Sequence, residues 1–375
     1  MLVIIKANGY GHDTPACAQV LVAENPRAWL GVTGVEEGAA VRAVAPQAHI
    51  LAMGSVWREE AAAAIAYRLT PVVWEPSQFE PLQTAAQACG LAAASFPVHL
   101  EIDTGMSRQG VRPECLPVVL THLAASSALR LEGVLTHLHS PEALDGRAND
   151  AQLREFETAL NTIAAHGLHP EWIHAGNSAT ILNQGGAADI VQIASRHGAK
   201  AMLRPGLALY GYAPRFSSTG PSLSGSSEAG SNSADAFSTA PALQLVLSWK
   251  TRIISLRIIQ SGDTAGYCAT FKAARPTRIA LLPAGYADGL NRQLSNRGTV
   301  LVRGQRAPIA GRVSMDLTTI DVTNIPGVEI GDEVVIIGEQ GSRSITAYDH
   351  ADLVNTIPYE ILCNIAARVP RIVKD

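Results

Sequence analysis

Short apolar runs recur along the first 211 residues, and alanine-rich segments with helical spacing lie between them. Apolar runs this short predict buried strands, and strands that alternate with helices predict βα units of a parallel sheet. Eight such units predict an α/β architecture, a closed (β/α)8 barrel of the TIM type. The eight runs are 2–5, 29–32, 49–53, 70–74, 98–102, 131–135, 172–174 and 201–203, and the helical segments include 36–44, 59–67, 114–125 and 151–165.

The pattern changes after the last of these runs. Serine and glycine dominate residues 214–242, which predicts a flexible insertion because such a composition buries too little surface to order itself. From residue 243 onward, short β-rich runs such as 278–282, 299–303 and 333–337 are separated by Gly, Pro and Asp turns. We therefore expect a barrel over 1–213, an insertion over 214–242 and a mostly-β C-terminal domain over 243–375.

Charge and composition narrow the class of protein. The 375 residues include 33 acidic and 29 basic side chains, a net charge of −4, and no basic patch stands out. Nucleic acid and anionic membranes are therefore poor candidates as partners. The five cysteines are scattered and never form a C-x-x-C pair, which indicates free thiols in a reducing compartment. No apolar run approaches the roughly 20 residues of a membrane span. We expect a cytoplasmic protein.

The most informative motif is Lys6-Ala7-Asn8-Gly9-Tyr10-Gly11-His12, which follows the first predicted strand. The carboxyl ends of barrel strands carry the chemistry in this fold. A lysine at such an end, beside glycines that let a ligand approach the backbone, suits covalent capture of a carbonyl group. Taken alone the signal is weak, because most lysines at strand ends are simply solvated.

Further motifs follow Lys6 in a fixed order, and together they resemble the pyridoxal-phosphate-dependent alanine racemase family. The resemblance covers both predicted domains. It implies a homodimeric isomerase that interconverts L-alanine and D-alanine and supplies D-alanine for peptidoglycan. The motifs are Asp103-Thr104-Gly105-Met106-Ser107-Arg108, Thr136-His137, His174-Ala175-Gly176-Asn177-Ser178-Ala179, Arg204-Pro205-Gly206-Leu207, Tyr210-Gly211, Gly266-Tyr267, Gly285-Tyr286-Ala287-Asp288-Gly289, Gly311-Arg312-Val313-Ser314-Met315-Asp316 and Pro358-Tyr359-Glu360.

The resemblance implies two catalytic residues, because racemisation removes a proton from one face of the α-carbon and returns one to the other. Lys6 would carry the cofactor and serve one face, and Tyr267 of the neighbouring subunit would serve the other. A tyrosine has a reference pKa of about 10, so it needs positive charge nearby to act as a base. We expect His137 and Arg204 to supply that charge.

The resemblance also implies the groups that bind cofactor and substrate. Arg204 would face the pyridine nitrogen; hydroxyls and backbone amides would hold the phosphate, since both are suitable donors to a dianion. The residues expected at the cofactor are Lys6, Tyr10, His137, Ser178, Arg204, Gly206, Leu207 and Tyr359, and those at the substrate are Arg108 and Met315. The alternatives without a functional role are a surface ion pair for Arg204 and an ordinary packed side chain for Met315. His137 and His139 are a weak metal signal, and we expect no metal site.

The sequence departs from the family at two places. Members usually carry a further segment ahead of the lysine strand, so we expect Met1 to be an internal residue of a longer reading frame. Many members also have a lysine, often carbamylated, where this chain has Glu101. We expect the Glu101 carboxylate to replace the carbamate as the partner of Arg108; the alternative is that Glu101 faces solvent at the barrel rim.

Three other functions remain open at this stage. A broad-specificity amino-acid racemase has the same fold, and no motif delimits the substrate pocket. A non-catalytic pyridoxal-phosphate-binding protein resembles the barrel alone, which the predicted β domain with Tyr267 disfavours. A basic-amino-acid decarboxylase shares the barrel-plus-β arrangement, but the motifs at Lys6 and Asp103 fit the racemases better.

Overall fold

The computed structural model describes residues 1–183, 186–216 and 243–374. These residues form two compact units. The first contains residues 1–9, 13–183, 186–209, 213–216 and 243, and the second contains 10–12, 210–212 and 244–374. Two short segments of the N-terminal part, Tyr10–His12 and Tyr210–Tyr212, therefore belong to the second unit. The predicted insertion 214–242 falls outside the described residues from position 217 onward.

The first unit is built on eight parallel strands in sequential order, as predicted. The ring is closed by backbone hydrogen bonds from Leu2 N to Leu203 O at 2.9 Å and from Ile4 N to Pro205 O at 3.0 Å. The strands are β1 Leu2–Ile4, β2 Trp29–Val32, β3 His49–Ala52, β4 Thr70–Val73, β5 Phe96–Ile102, β6 Leu129–Thr136, β7 Trp172–His174 and β8 Lys200–Met202.

Helices follow the strands and cover the outside of the barrel sheet. The longest, Arg147–Ala165, buries Leu153, Phe156, Leu160 and Ile163, whose spacing of three and four places them on one side of the helix. The α-helices of this unit are Thr14–Glu24, Val35–Val44, Ala61–Ala66, Phe79–Ala88, Leu116–Ala125, Arg147–Ala165, Ser178–Leu182 and Gly186–Arg196, and short 3₁₀ helices cover Arg58–Glu60, Pro76–Gln78, Pro113–Cys115 and Leu207–Tyr210.

The second unit consists mainly of antiparallel sheets, again as predicted. Its central strand Glu333–Gln340 is buried from Val334 to Ile337 and pairs with three neighbouring strands. The strands are β9 Trp249–Arg252, β10 Ser255–Ile259, β11 Thr264–Ala265, β12 Phe271–Lys272, β13 Thr277–Leu282, β14 Thr299–Val302, β15 Gln305–Pro308, β16 Thr318–Asp321, β17 Glu333–Gln340 and β18 Arg343–Ile345; the helices are Ala347–Val354 and Pro358–Cys363, with 3₁₀ turns at Tyr267–Ala269, Tyr286–Asp288 and Arg292–Leu294.

Candidate active site

Lys6 follows β1 directly and begins a left-handed turn of the backbone. Ala7 and Asn8 have φ values of 52° and 54°, a region that residues other than glycine rarely adopt. The carboxylate of Glu37 holds this turn, because it accepts a hydrogen bond from Ala7 N at 2.8 Å and a second from Thr33 N at 2.7 Å. The half-buried Lys6 is thus presented at a strand end on a backbone that is fixed rather than loose.

Arg204 lies just beyond β8 and is only 4% exposed. Its Nη2 donates to the carbonyl oxygen of Thr136 at 2.8 Å and lies 3.3 Å from His137 Nδ1. Its Nη1 lies 3.4 Å from His174 Nδ1. Burial lowers the pKa of Arg204 to about 10, which leaves the guanidinium charged near neutral pH. The alternative of a surface ion pair for this arginine is therefore wrong.

His137 follows β6 and faces the Arg204 guanidinium. An arginine has no acceptor, so His137 Nδ1 must accept the hydrogen bond, and the neutral ring carries its proton on Nε2. Burial, together with the positive charges of Arg204, Arg108 and Lys6, lowers the pKa of His137 to about 3. The expectation that His137 supplies positive charge is wrong for this reason; Arg204 remains as a source of that charge.

Gln152 is a buried polar residue that sequence reasoning missed. Its side-chain nitrogen lies 3.1 Å from both Thr104 Oγ1 and the carbonyl oxygen of His137, and its oxygen accepts from His139 N at 2.9 Å. Thr104 in turn lies 2.7 Å from the hydroxyl of Thr136. Gln152 therefore joins the segment after β5 to the segment after β6. A glutamine beside the apolar stripe of the helix Arg147–Ala165 was the available signal.

Ser178 lies at the start of a short helix after β7, and its hydroxyl oxygen accepts two backbone hydrogen bonds. The donors are Gly206 N at 3.0 Å and Ala208 N at 3.1 Å. They flank the buried Leu207 in the segment after β8. The structure thus brings together the expected Ser178, Gly206 and Leu207 and adds Ala208 to them. A hydroxyl surrounded by backbone amides is suited to an anionic group.

Tyr10 and Tyr359 both belong to the second unit, where they lie side by side. Their ring centroids are 5.8 Å apart, and Tyr10 also stacks on Tyr210 at 5.0 Å. Tyr10 is 8% exposed, and burial raises the pKa of its hydroxyl, which therefore stays protonated and able to donate. The two tyrosines expected at the phosphate are thus neighbours in the structure.

Tyr267 and Met315 are exposed side chains of the second unit, at 69% and 54%. A packed-core role for Met315 is therefore wrong. Tyr267 is held in a tight loop, since Gly266 and Cys268 on either side have φ values of 75° and 60°. The loop that carries Met315 packs against the loop of Gly285. A Cβ on Gly285 would come within 2.3 Å of the carbonyl oxygen of Met315, so these two loops touch through their backbones.

Arg368 is a further residue that sequence reasoning missed. Its guanidinium bonds Asp288 Oδ1 and Asp316 Oδ1, each at 2.7 Å. These aspartates belong to the two glycine-containing motifs on either side of β14 and β15. The loop that carries Met315 is thus tied both by backbone contacts and by an ion pair. Arg368 could not be found from the sequence, because it stands 52 residues beyond Asp316 and 80 residues beyond Asp288.

Neither a metal-binding cluster nor a membrane-spanning helix is found in the part of the chain that the structure describes. Within it, no cluster of three or more His, Cys, Asp or Glu side chains is placed to hold a metal ion. Over the same residues, no helix combines the length and apolar character needed to cross a membrane. All five cysteines lie within the described ranges, and none forms a disulfide.

The barrel and the side chains at its strand ends define the class of protein. Lys6, Arg204, His137 and Ser178 all lie where barrel strands end or just beyond them, which is where enzymes of this fold carry their active sites. The chain is therefore an enzyme of the (β/α)8-barrel class with a lysine at the end of its first strand.

The comparisons with known proteins name the family. The family described as "Alanine racemase, N-terminal domain" matches residues 1–214, and "Alanine racemase, C-terminal domain" matches residues 246–373. The alanine racemase of Sorangium cellulosum (strain So ce56) is 38% identical over 380 residues, which cover 99% of this chain and 91% of that protein. That of Symbiobacterium thermophilum is 36% identical over 371 residues, with 99% and 89% covered. The chain belongs to the alanine racemase family.

Solved structures agree with this assignment. The alanine racemase of Streptomyces coelicolor A3(2) superimposes with a TM-score of 0.83 at 28% identity, covering 99% of this chain and 90% of that one. The Bacillus anthracis enzyme with bound L-Ala-P gives 0.82 at 28% identity, with 98% and 86% covered. The Bartonella henselae enzyme, which has covalently bound pyridoxal phosphate, gives 0.78 at 27% identity, with 99% and 91% covered.

Proposed function

We propose that this chain interconverts L-alanine and D-alanine, with pyridoxal phosphate held on Lys6 and with Tyr267 as the second acid/base. The observation that carries the proposal is the placement of Lys6 at the end of β1, in the same barrel end as Arg204 and Ser178. The reaction supplies D-alanine for peptidoglycan, and the enzyme acts in the cytoplasm. Membership of the family and the absence of disulfides support this assignment.

The residues present fit pyridoxal phosphate. The ε-amine of Lys6 can bond the aldehyde carbon, and the buried cation of Arg204 can donate to the ring nitrogen. The Ser178 hydroxyl, with the Gly206 and Ala208 amides around it, supplies donors for the phosphate. The amide of Leu207 and the hydroxyls of Tyr10 and Tyr359 complete the proposed donors to the phosphate. His137, which lies beside Arg204, also belongs to the proposed cofactor site.

When bound, the cofactor withdraws electrons from the α-carbon of the amino acid and makes its proton acidic. Lys6 takes or returns that proton on one face, and Tyr267 does so on the other. Arg204 stays charged instead of giving its proton to the ring nitrogen, because its pKa of about 10 is well above neutral. This moderates the electron withdrawal and disfavours side reactions. His137 stays neutral and holds Arg204 from one side.

Arg108 and the backbone amide of Met315 bind the carboxylate of the substrate. Tyr267 and Met315 come from the second subunit of a homodimer, so each site is shared. The exposure of both side chains, on loops fixed by Arg368 and by left-handed backbone, supports this part of the proposal.

Borohydride reduction of the cofactor-loaded protein, followed by peptide mapping, tests where the cofactor is held. The label should appear on Lys6, and Lys6→Ala should abolish both the label and alanine racemisation. A label on another lysine, or D-alanine formation by Lys6→Ala, would refute the proposal. Carbon dioxide release in place of D-alanine would show a decarboxylase, and equal rates on larger amino acids would show a broad-specificity racemase.

A further inference from the structure

A chain of polar side chains runs through the barrel interior behind Arg204. His174 Nδ1 lies 3.4 Å from Arg204 Nη1, and His174 Nε2 lies 2.8 Å from His99 Nδ1. At its far end, His99 Nε2 lies 3.5 Å from Glu132 Oε2, an ion-pair contact that does not have hydrogen-bond geometry, and this nitrogen has no hydrogen-bond partner among the described residues. Both imidazoles are fully buried, whereas the Glu132 side chain is 12% exposed. The chain thus extends from the proposed cofactor site toward the opposite end of the barrel.

The position of every proton in this chain follows from Arg204. An arginine can only donate, so His174 Nδ1 accepts and His174 carries its proton on Nε2. That proton points at His99 Nδ1, so His99 in turn carries its proton on Nε2, which lies 3.5 Å from the Glu132 carboxylate. The two hydrogen bonds therefore run in the same direction, from the cation toward the anion, and the last contact is electrostatic.

Both imidazoles stay neutral, as this arrangement requires. Burial lowers the pKa of His99 and lowers that of His174 well below its ordinary value, and Arg204 adds to the effect on His174. The His99 ring is also locked in place. A Cβ on Gly133 would come within 2.6 Å of that ring, and the Trp29 ring lies 5.4 Å from it, centroid to centroid.

Packing alone does not account for such a chain. Burying polar rings costs free energy unless each group is hydrogen-bonded, and apolar side chains of similar size would fill the same space without that cost. Hydrogen bonds aligned in one direction polarise each other, so the negative charge of Glu132 makes His174 a better acceptor for Arg204. Arg130 pairs with Glu132 at 2.7 Å at the outer end, and Glu101 and Arg108 are the other charges acting on Arg204.

We propose that Glu132, His99 and His174 are positioning residues for Arg204, a relay of two hydrogen bonds and a final charge contact that fixes the guanidinium and transmits the charge of a distant carboxylate to it. The relay rests on the proposed function, since Arg204 is assigned there to the ring nitrogen of the cofactor. Its effect on the reaction comes through Arg204 only, because Glu132 and His99 do not reach the substrate or the cofactor.

Glu132→Gln tests the relay in the cofactor-loaded enzyme, because it keeps the size of the side chain and removes its charge. The matched control is Glu171→Gln, whose carboxylate pairs with Lys200 at 2.9 Å and whose backbone amide bonds Glu132 O at 2.9 Å. We expect Glu132→Gln to lower kcat about tenfold, the effect of one weakened charge-assisted hydrogen bond, with little change in KM. Glu171→Gln should match the parent.

Two spectroscopic readouts separate positioning from a structural role. Nitrogen NMR of labelled and assigned histidines in the parent should show His99 and His174 protonated on Nε2 only, with no titration near neutral pH; Glu132→Gln should shift the signals of both. The pH midpoint of the visible absorbance of lysine-bound cofactor should fall in Glu132→Gln, because loss of a negative charge disfavours a cation. Nδ1 protonation of either ring, or an unmoved midpoint, would overturn the relay.

A second variant keeps the test valid if Glu132→Gln folds poorly. His99→Asn retains an acceptor for His174 but cannot reach Glu132, so it should reproduce the loss in kcat. The double variant should be no worse than either single one, because residues of one relay act as a unit. Additive losses would refute the relay. If the parent fails to bind cofactor or racemise alanine, the proposed function fails, whereas the NMR protonation pattern still tests the relay by itself.

Discussion

The side-chain amide of Gln109 donates a hydrogen bond to the carboxylate of Glu101 across 2.5 Å. The same nitrogen also lies 3.1 Å from the carbonyl oxygen of Met53. Glu101 is only 3% exposed, so the alternative that it faces solvent at the barrel rim is wrong. Burial raises the pKa of Glu101, and Gln109, Arg204 and Arg108 oppose that rise. Gln109 is thus the direct partner of this carboxylate, and the exposed Arg108 acts on it through charge.

Glu101→Gln should lower turnover about tenfold, because Arg108 and Arg204 lose a buried counter-charge at nearly constant side-chain volume. Initial rates of D-alanine formation measure the effect. Gln109→Met is the companion variant: it removes the hydrogen bond, keeps the charge and should cost less. The parent rate should not depend on added bicarbonate. Parent-like turnover in Glu101→Gln, or activation of the parent by bicarbonate, would show that Glu101 does not replace a carbamate.

Arg368→Met should raise KM and lower kcat severalfold, because it frees the loops of Asp288 and Asp316 that place Met315. Arg303→Met is a matched control, since Arg303 forms a comparable ion pair with Asp332 at 2.7 Å and has a similar exposure. Steady-state kinetics of both variants should show a loss for Arg368→Met alone. Equal kinetics in the two variants would mean that the ion pair of Arg368 has no part in the site.

Acid should destabilise the second unit through His350. Burial lowers the folded-state pKa of His350 to about 4, whereas the unfolded value is about 6.5. Between these values the unfolded chain binds a proton that the folded chain does not, so stability falls as the pH drops below about 6.5 and is unaffected above it. The cost from this one group is about 2 kcal/mol at pH 5.

When the pH is lowered from about 7.5 to about 5, the melting temperature of His350→Leu should therefore fall by less than that of the parent. The drop is compared within each protein, because the substitution also changes stability at neutral pH through the loss of a bond to Thr299 and the nearby charges of Asp349 and Arg306. The exposed His122→Leu is the control and should follow the parent. A drop in His350→Leu as large as that of the parent would contradict the assignment. The buried His99, His137 and His174, whose pKa values are also lowered, add to the acid sensitivity of the parent.

Residues 214–242 stay a prediction of a flexible, dispensable insertion. A variant that lacks 217–242 and joins the flanking segments with a short Gly-Ser linker should keep cofactor absorbance and turnover within about twofold of the parent. The same measurements on a variant with a scrambled insertion provide the control. Loss of folding on deletion, with the scrambled variant intact, would show that the length of the segment matters.

Barrel strands that bury an uninterrupted apolar run, such as Leu2–Ile4 and Trp29–Val32, could be predicted from that run. The site residues were expected from the resemblance to the family, and Lys6 and His137 also lie just after predicted strands. Glu37 and Gln152 could not, since each acts on backbone groups or side chains far from it in sequence. A local pattern can single out such a side chain, as with Gln152 beside an apolar stripe, but it does not show which distant groups the side chain binds.

The charge state of His137 was predicted wrongly, because burial and neighbouring charge appear only after folding. The resemblance led to the expectation that His137 and Arg204 both carry positive charge, but burial of His137 beside the charged guanidinium of Arg204 makes the second charge too costly. The relay behind Arg204 was missed on similar grounds. His99, Glu132 and His174 stand on the neighbouring strands β5, β6 and β7, and only the pairing of these strands in the folded barrel brings them into line.

Tyr267 is the second acid/base of the proposed two-base racemisation. The rate at which cofactor-loaded Tyr267→Phe forms D-alanine from L-alanine tests this role. The account predicts that this variant keeps the visible absorbance of lysine-bound cofactor and loses racemisation by about 10²–10⁴-fold, the usual contribution of a general base. Tyr67→Phe, which alters another partly exposed tyrosine outside the motifs, should stay close to the parent. Parent-like D-alanine formation by Tyr267→Phe with bound cofactor would contradict the account.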